Sequence, residues 1–278
     1  MEYAIKEGNI DYAKVLFGLG TPEDWNGCVI SAKYGCFDFL DFCYTEGQPI
    51  TLNVIERALH YPDCLSYAIE YVDKISRHDQ DTLMNACAQR GLIESIQVMV
   101  DAGWQISNLM CHYAAEAGDW DTLEFVFQLG APLDVTIPCT KGQMTLSVIE
   151  YILNSDQPLR HRIKCMAFAI DNGCELREEF CEDAVQSNSY ILLKYLRENP
   201  FRQCPWNLSV LRKINHTLEI EQYFNKCQPN FPKKNIARKK LYAGSGAVCG
   251  EYGYECGKVG CLGCLPEVSE ESDIESEH

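Results

Sequence analysis

The sequence has no apolar run approaching the roughly 18 residues a helix needs to cross a bilayer. Its first residues, Met-Glu-Tyr-Ala-Ile-Lys-Glu-Gly, lack the basic stretch and the apolar core of a secretory signal. From these two absences a cytoplasmic protein without a membrane partner is expected. Catalytic signatures are missing as well. The six histidines, at positions 60, 78, 112, 161, 216 and 278, are scattered, with no His-Glu-x-x-His and no fixed carboxylate partner. No Gly-x-Ser-x-Gly elbow occurs. The stretch "GYECGKVG" invites a phosphate-loop reading through Gly253, Gly257 and Lys258, but its glycines stand one residue too close. Val259 also cannot supply the hydroxyl that would hold magnesium. No catalytic residue is assigned, an enzyme is not expected, and no cofactor is required.

Positive charge is scarce, with a formal net charge of −16 over 278 residues. An acidic body repels phosphate backbones, so nucleic acid is not the expected partner and a basic protein surface is. The imbalance is uneven. Residues 231–240, "FPKKNIARKK", hold five basic groups and no acid, and the end, "LPEVSEESDIESEH", holds six acids and no base. The basic run is read as a solvated linker first and as a nuclear address second. The acidic end has the composition of a disordered tail. Sixteen cysteines are present. In a chain of this length without an export signal they are expected to be reduced, those before residue 231 acting as small buried hydrophobes.

What the chain does have is self-similarity. Aligned on the first glycine of "AEAGDWDTLEFVFQLGAP", four segments fall into register: Ala4…Gly8…Gly20, Ser31-Ala32…Gly35…Gly47, Cys87-Ala88…Gly91…Gly103 and Ala114-Ala115…Gly118…Gly130. In each the two glycines stand twelve apart. Weaker copies run Ala58…Pro62…Lys74, Ala184-Val185…Asn188…Pro200 and His216…Gln228. Successive anchors at 8, 35, 62, 91 and 118 step by about 27 residues.

Apolar residues recur two, five and eight positions after the anchor, as in Trp120, Leu123 and Val126, and this spacing predicts one face of a helix. Three after the anchor stand Asp11, Asp38, Glu94, Asp121 and Glu219, suited to a helix's positive end. The second glycine suits the left-handed residue just past the last turn. The small pair before the anchor lets a preceding short helix approach closely. Each unit therefore reads as helix–turn–helix, which buries its apolar face only by stacking on its neighbours.

This pattern resembles the ankyrin repeat. Residues 114–131 read A-A-E-A-G-D-W-D-T-L-E-F-V-F-Q-L-G-A against the family's A-A-x-x-G-H-L-E-I-V-K-L-L-L-x-x-G-A. The Thr-Pro-Leu-His start is absent and the period falls short of the usual 33 or so, which would leave a bare helical stack without β-hairpin fingers. The short variant is similar to repeats of large DNA viruses of amoebae and some protists, and "LLKYLRENPFRQCPWN" matches their phrasing. The resemblance implies an all-α, ankyrin-like helical-repeat solenoid over residues 1–228, of about seven or eight units. Residues 131–183 hold one irregular copy with an insertion that ends near Phe168–Leu176. A basic linker (229–248), a Cys/Gly-rich segment (249–264) and the acidic tail (265–278) follow.

Two sets of residues are candidates for binding. Cys249, Cys256, Cys261 and Cys264 could supply four thiolates to a tetrahedral zinc. Cys261-x-x-Cys264 has the usual half-site spacing, whereas Cys249 and Cys256 stand wider apart than usual. A zinc site and a Gly-rich segment with free thiols both remain open. Trp25, Trp104 and Trp206 fall in the loops between units, either as caps on the apolar seam or as anchors for a partner.

The expected function is a non-enzymatic protein–protein interaction module, a stacked scaffold that docks a protein partner. Two alternatives stand beside it. One is an adaptor whose C-terminal zinc segment recruits degradation machinery, and the other is a structural component of a viral particle, working in the host cytoplasm.

Overall fold

The computed structural model describes residues 1–22, 25–139, 142–199 and 202–227. Cys249, Cys256, Cys261 and Cys264, the basic run and the acidic end lie outside the described residues. Those described form two compact units, Met1–Leu146 and a second beginning at Ser147.

The first unit contains five antiparallel helix pairs: α1 (Glu2–Lys6) with α2 (Ile10–Gly18), α3 (Gly27–Tyr34) with α4 (Phe37–Thr45), α5 (Leu52–Ala58) with α6 (Pro62–Tyr71), α7 (Arg77–Arg90) with α8 (Ile93–Asp101), and α9 (Met110–Glu116) with α10 (Trp120–Gln128). It ends in a two-stranded hairpin of β1 (Asp134–Cys139) and β2 (Gly142–Ser147), whose last residue opens the second unit. The second unit holds α11 (Val148–Asn154) with α12 (Leu159–Asp171), α13 (Glu178–Gln186) with α14 (Tyr190–Glu198), and α15 (Leu208–Leu211) with α16 (Leu218–Lys226). First helices stack on first helices, as α1, α3 and α5 do and as α11, α13 and α15 do. Second helices stack on second helices through α2, α4, α6 and α8. The fold is an all-α helical repeat.

The anchor glycines work as the spacing predicts. Gly118 has φ 68°, its N–H donates to the Ala115 carbonyl at 3.1 Å, and the next N–H, of Asp119, reaches back to Ala114 at 3.0 Å. That pair of bonds satisfies the loose carbonyls at the end of the first helix and needs a left-handed residue at the turn. The same pair recurs at Gly8, Gly35 and Gly91, and once without glycine, at Asn188 with φ 52°. The second helix then begins two residues after the anchor, with its acid in the first turn.

Three expectations need correction. The residue two after the anchor is the first of the second helix and does not belong to the core: Phe37 and Leu218 are exposed and Trp120 is half-buried. The buried columns stand four, five and eight after it, as in Thr122, Leu123 and Val126, or Ser95, Ile96 and Met99. These positions share one face at 3.6 residues per turn.

The third pair also sits in a different register. Pro62 is not its turn residue but the first residue of α6, where a missing N–H costs nothing. Counting from His60, Asp63 joins the acidic column and Cys64, Leu65 and Ala68 fill the buried ones. The turn itself, Leu59 to Tyr61, is as long as those at Gly8 and Gly118; the shift arises ahead of α5, which starts five residues after Gly47 where α3 starts seven after Gly20.

Finally, the stack is not bare, because the insertion in the irregular copy is the β1–β2 hairpin. Its inner end is fixed to a helix by His112, fully buried on α9, whose Nε2 lies 3.3 Å from the Leu146 carbonyl. Burial holds the His112 pKa below its usual value.

Candidate protein-interaction surface

The three loop tryptophans serve the seams between pairs. Trp104 is buried. Trp25 is half-buried against Phe17, with ring centroids 5.9 Å apart, and lies so close over Gly27 that a Cβ there would sit 2.7 Å from the indole. Trp206 packs on Tyr223 and Phe224 and carries the Arg197 guanidinium 4.4 Å above its ring. Trp25 and Trp206 stay half-buried and keep part of their surface open.

Nor do the described residues gather a reactive centre. Among them no three His, Cys, Asp or Glu side chains stand together as metal ligands do. Nine of the cysteines are buried as expected. Burial pushes the thiol of Cys64 up to about 11 and that of Cys87 up to about 12, so both stay protonated and unreactive at neutral pH. Two cysteines repeat one structural role: Cys28 and Cys111 donate to the carbonyls of Gln48 and Ala131, each twenty residues on. One histidine does have the carboxylate partner that the sequence did not reveal. His216 bridges the Ile214 carbonyl and Glu221, with Nε2 2.9 Å from the carboxylate, and its ring packs on Phe224. The contacts tie the start of α16 to the preceding loop. In the second unit a groove of about 510 Å³ runs between α14 and α16. Its lining mixes Lys194 and Lys226 with Glu219 around Tyr190 and Tyr223, with no dominant charge.

A coherent surface lies instead on α4 and α6. Tyr44, Tyr67 and Tyr71 form a triangle of rings, with centroids 4.9 Å apart for Tyr44–Tyr71, 4.7 Å for Tyr67–Tyr71 and 6.0 Å for Tyr44–Tyr67. Phe37 extends it, edge-on to Tyr67 at 5.4 Å. Phe37 and Tyr71 are exposed. The positions follow from helix geometry: Tyr67 and Tyr71 are four apart on α6, while Phe37 and Tyr44 are two turns apart on α4, which packs against it.

Two carboxylates act on the rings. Tyr67 donates to Asp41 at 2.8 Å. Its phenol is raised above the usual tyrosine value by burial first and by Asp41 second, whereas that of Tyr71 is raised chiefly by the charge of Glu70. With Asp38 and Asp63 added, α4 and α6 carry four acids and neither lysine nor arginine. Ring faces carry negative charge density, so rings and carboxylates together favour a cation. The nearest use of that preference is internal: Lys14 of α2 sits 5.0 Å above the Phe42 ring.

Counting Tyr67 five residues after Pro62 puts it in the core, and only the corrected register turns it outward. The signal that could have revealed the patch is the interleaving of aromatics with acids in "FDFLDFCYTE" and "YPDCLSYAIEY".

No family model matches the chain, and no curated protein matches it. Among solved structures it is similar to the human ASB11 ankyrin repeat domain, at a TM-score of 0.48 and 15% identity, over 63% of this chain and 84% of that one.

Proposed function

We propose that the chain is a non-catalytic binding module whose α4–α6 face takes a lysine- or arginine-bearing segment of a protein partner. One observation carries this reading: the tyrosine triangle and Phe37 stand on two helices that hold four carboxylates and no base, with Asp41 and Glu70 acting on the rings. Aromatic side chains bury large area at small entropic cost and are over-represented where binding energy concentrates. The arginine or lysine of the partner would lie on exposed ring face and pair with Asp41 or Glu70.

The test is an anisotropy titration of the intact chain with a labelled arginine-rich peptide and, as the control, a glutamate-rich one. The arginine peptide is expected to bind and the glutamate peptide to fail. Tyr71→Ala and Asp41→Asn, both at exposed positions, should each weaken binding about tenfold, or about 1.4 kcal/mol, with the helical circular dichroism unchanged. If the variants bind as tightly as the unaltered chain, the general acidity of the protein accounts for binding and the patch does not.

A further inference from the structure

The column four residues after the anchor faces the preceding helix pair. Ser95 demonstrates this directly: its hydroxyl donates 2.6 Å to the carbonyl of Leu59, in the pair before its own. In every later second helix carrying the column, its occupant is at most 2% exposed: Phe39, Cys64, Ser95, Thr122, Leu192 and Ile220.

In the first pair that column holds Tyr12, 55% exposed. Three and seven residues further along α2 stand Val15, at 61%, and Leu19, just past its end, at 79%; Tyr3 on α1 reaches 75%. Tyr12, Val15 and Leu19 form one stripe along one helix face. A repeat face open to water is ordinarily polar. This face is apolar.

We propose that this face is an interface with a second copy of the chain, formed by α2 packing antiparallel on its counterpart. Two observations single out that occupant. The stripe is close to symmetric about Val15, with Tyr12 three residues before it and Leu19 four after. A two-fold axis near Val15 therefore sets each Tyr12 on the other copy's Leu19, as a self-complementary interface requires. Gly18 borders the stripe, and a Cβ there would meet nothing within 4 Å, so the two backbones have room to close.

Charge argues the same way. In a chain of net charge −16, residues 1–20 carry three acids against two lysines. Glu2 is already paired with Lys33 at 2.9 Å, and Lys14 rests over Phe42. Lys6, Glu7 and Asp11 are left to face the other copy as a mixed rim. Two strongly acidic bodies meet with least repulsion at such a near-neutral face.

Sedimentation velocity of the full chain, over a series up to about 100 μM, reads a dissociation constant of micromolar order. The expected result is a species of twice 31.6 kDa. Val15→Glu is expected to raise the dissociation constant at least tenfold, with helical circular dichroism unchanged because the side chain is mostly solvent-exposed. Leu19→Lys, past the helix end, should do the same by a different charge. A chain that stays monomeric throughout the series overturns the proposal, as does a dimer that survives both substitutions. Tyr71→Ala should leave the dimer intact, and Val15→Glu should leave binding of the arginine-rich peptide intact, so this interface and the α4–α6 patch can fail separately.

Discussion

Asn188 carries at one turn the left-handed backbone that glycine carries at the others, with φ 52°. A side chain in that region is strained, though asparagine tolerates it better than most. Asn188→Gly is therefore expected to stabilise the second unit by a few tenths to about 1 kcal/mol. Gly8→Ala, at φ 70° and with open space around the added carbon, should destabilise by about 1 kcal/mol through backbone strain alone. Urea midpoints of the two variants check the pair, and a shift of the same sign in both would show that something other than φ decides. These turns were legible in the sequence because only glycine is unstrained there, so one residue type marks one conformation. The tyrosine patch was not: an aromatic residue reads equally as core or as surface, and register alone separates the two.

At the scale of the element, the second helices show how a periodicity can be found and its phase misjudged. Isoleucine, phenylalanine and tryptophan two after the anchor made that position look buried, while Ser95 and Thr122 hid the true column at four. Both exceptions are satisfied locally, Ser95 by the Leu59 carbonyl and Thr122 by Asp119 at 2.8 Å, which is how a polar side chain can occupy a core position. Two neighbours on α16 test the assignment. Ile220→Ala, in the buried column, is expected to cost about 2–5 kcal/mol. Leu218→Ala, two residues earlier and exposed, should stay within about 0.5 kcal/mol. Thermal unfolding of the two variants compares them, and equal losses would restore the column at two to the core. The β1–β2 hairpin was readable in part, since Val135 and Ile137 alternate with polar residues before Lys141-Gly142, as do Met144 and Leu146 after it. Its alternation was masked by a helical frame imposed on both sides.

For the whole molecule, the described residues gather into two units, Met1–Leu146 and one beginning at Ser147, each a set of stacked pairs. The helical-repeat class was visible because a short period repeated many times outvotes any single irregular copy. The net charge of −16 acts at this scale as well. Raising ionic strength from 0.1 to 1 M shortens the screening length from about 10 Å to about 3 Å. Affinity for the arginine-rich peptide is then expected to fall several-fold, while self-association through Tyr12, Val15 and Leu19 holds or strengthens. Anisotropy and sedimentation in the two buffers measure both, and peptide binding indifferent to salt would remove the carboxylates from the account.

The turn at Gly118 closes its hydrogen bonds within six consecutive residues, Ala114 to Asp119, and so do its counterparts at Gly8, Gly35, Gly91 and Asn188. No turn of this kind relies on a distant segment to satisfy its backbone. A pair can then be duplicated, lost or trimmed in the gene without stranding a polar group elsewhere. The third pair shows the tolerance: the connection from Gly47 to α5 is two residues shorter than that from Gly20 to α3, and the pair keeps its buried face. A chain built this way can change its length, and with it the set of surfaces it offers, faster than it can change its architecture.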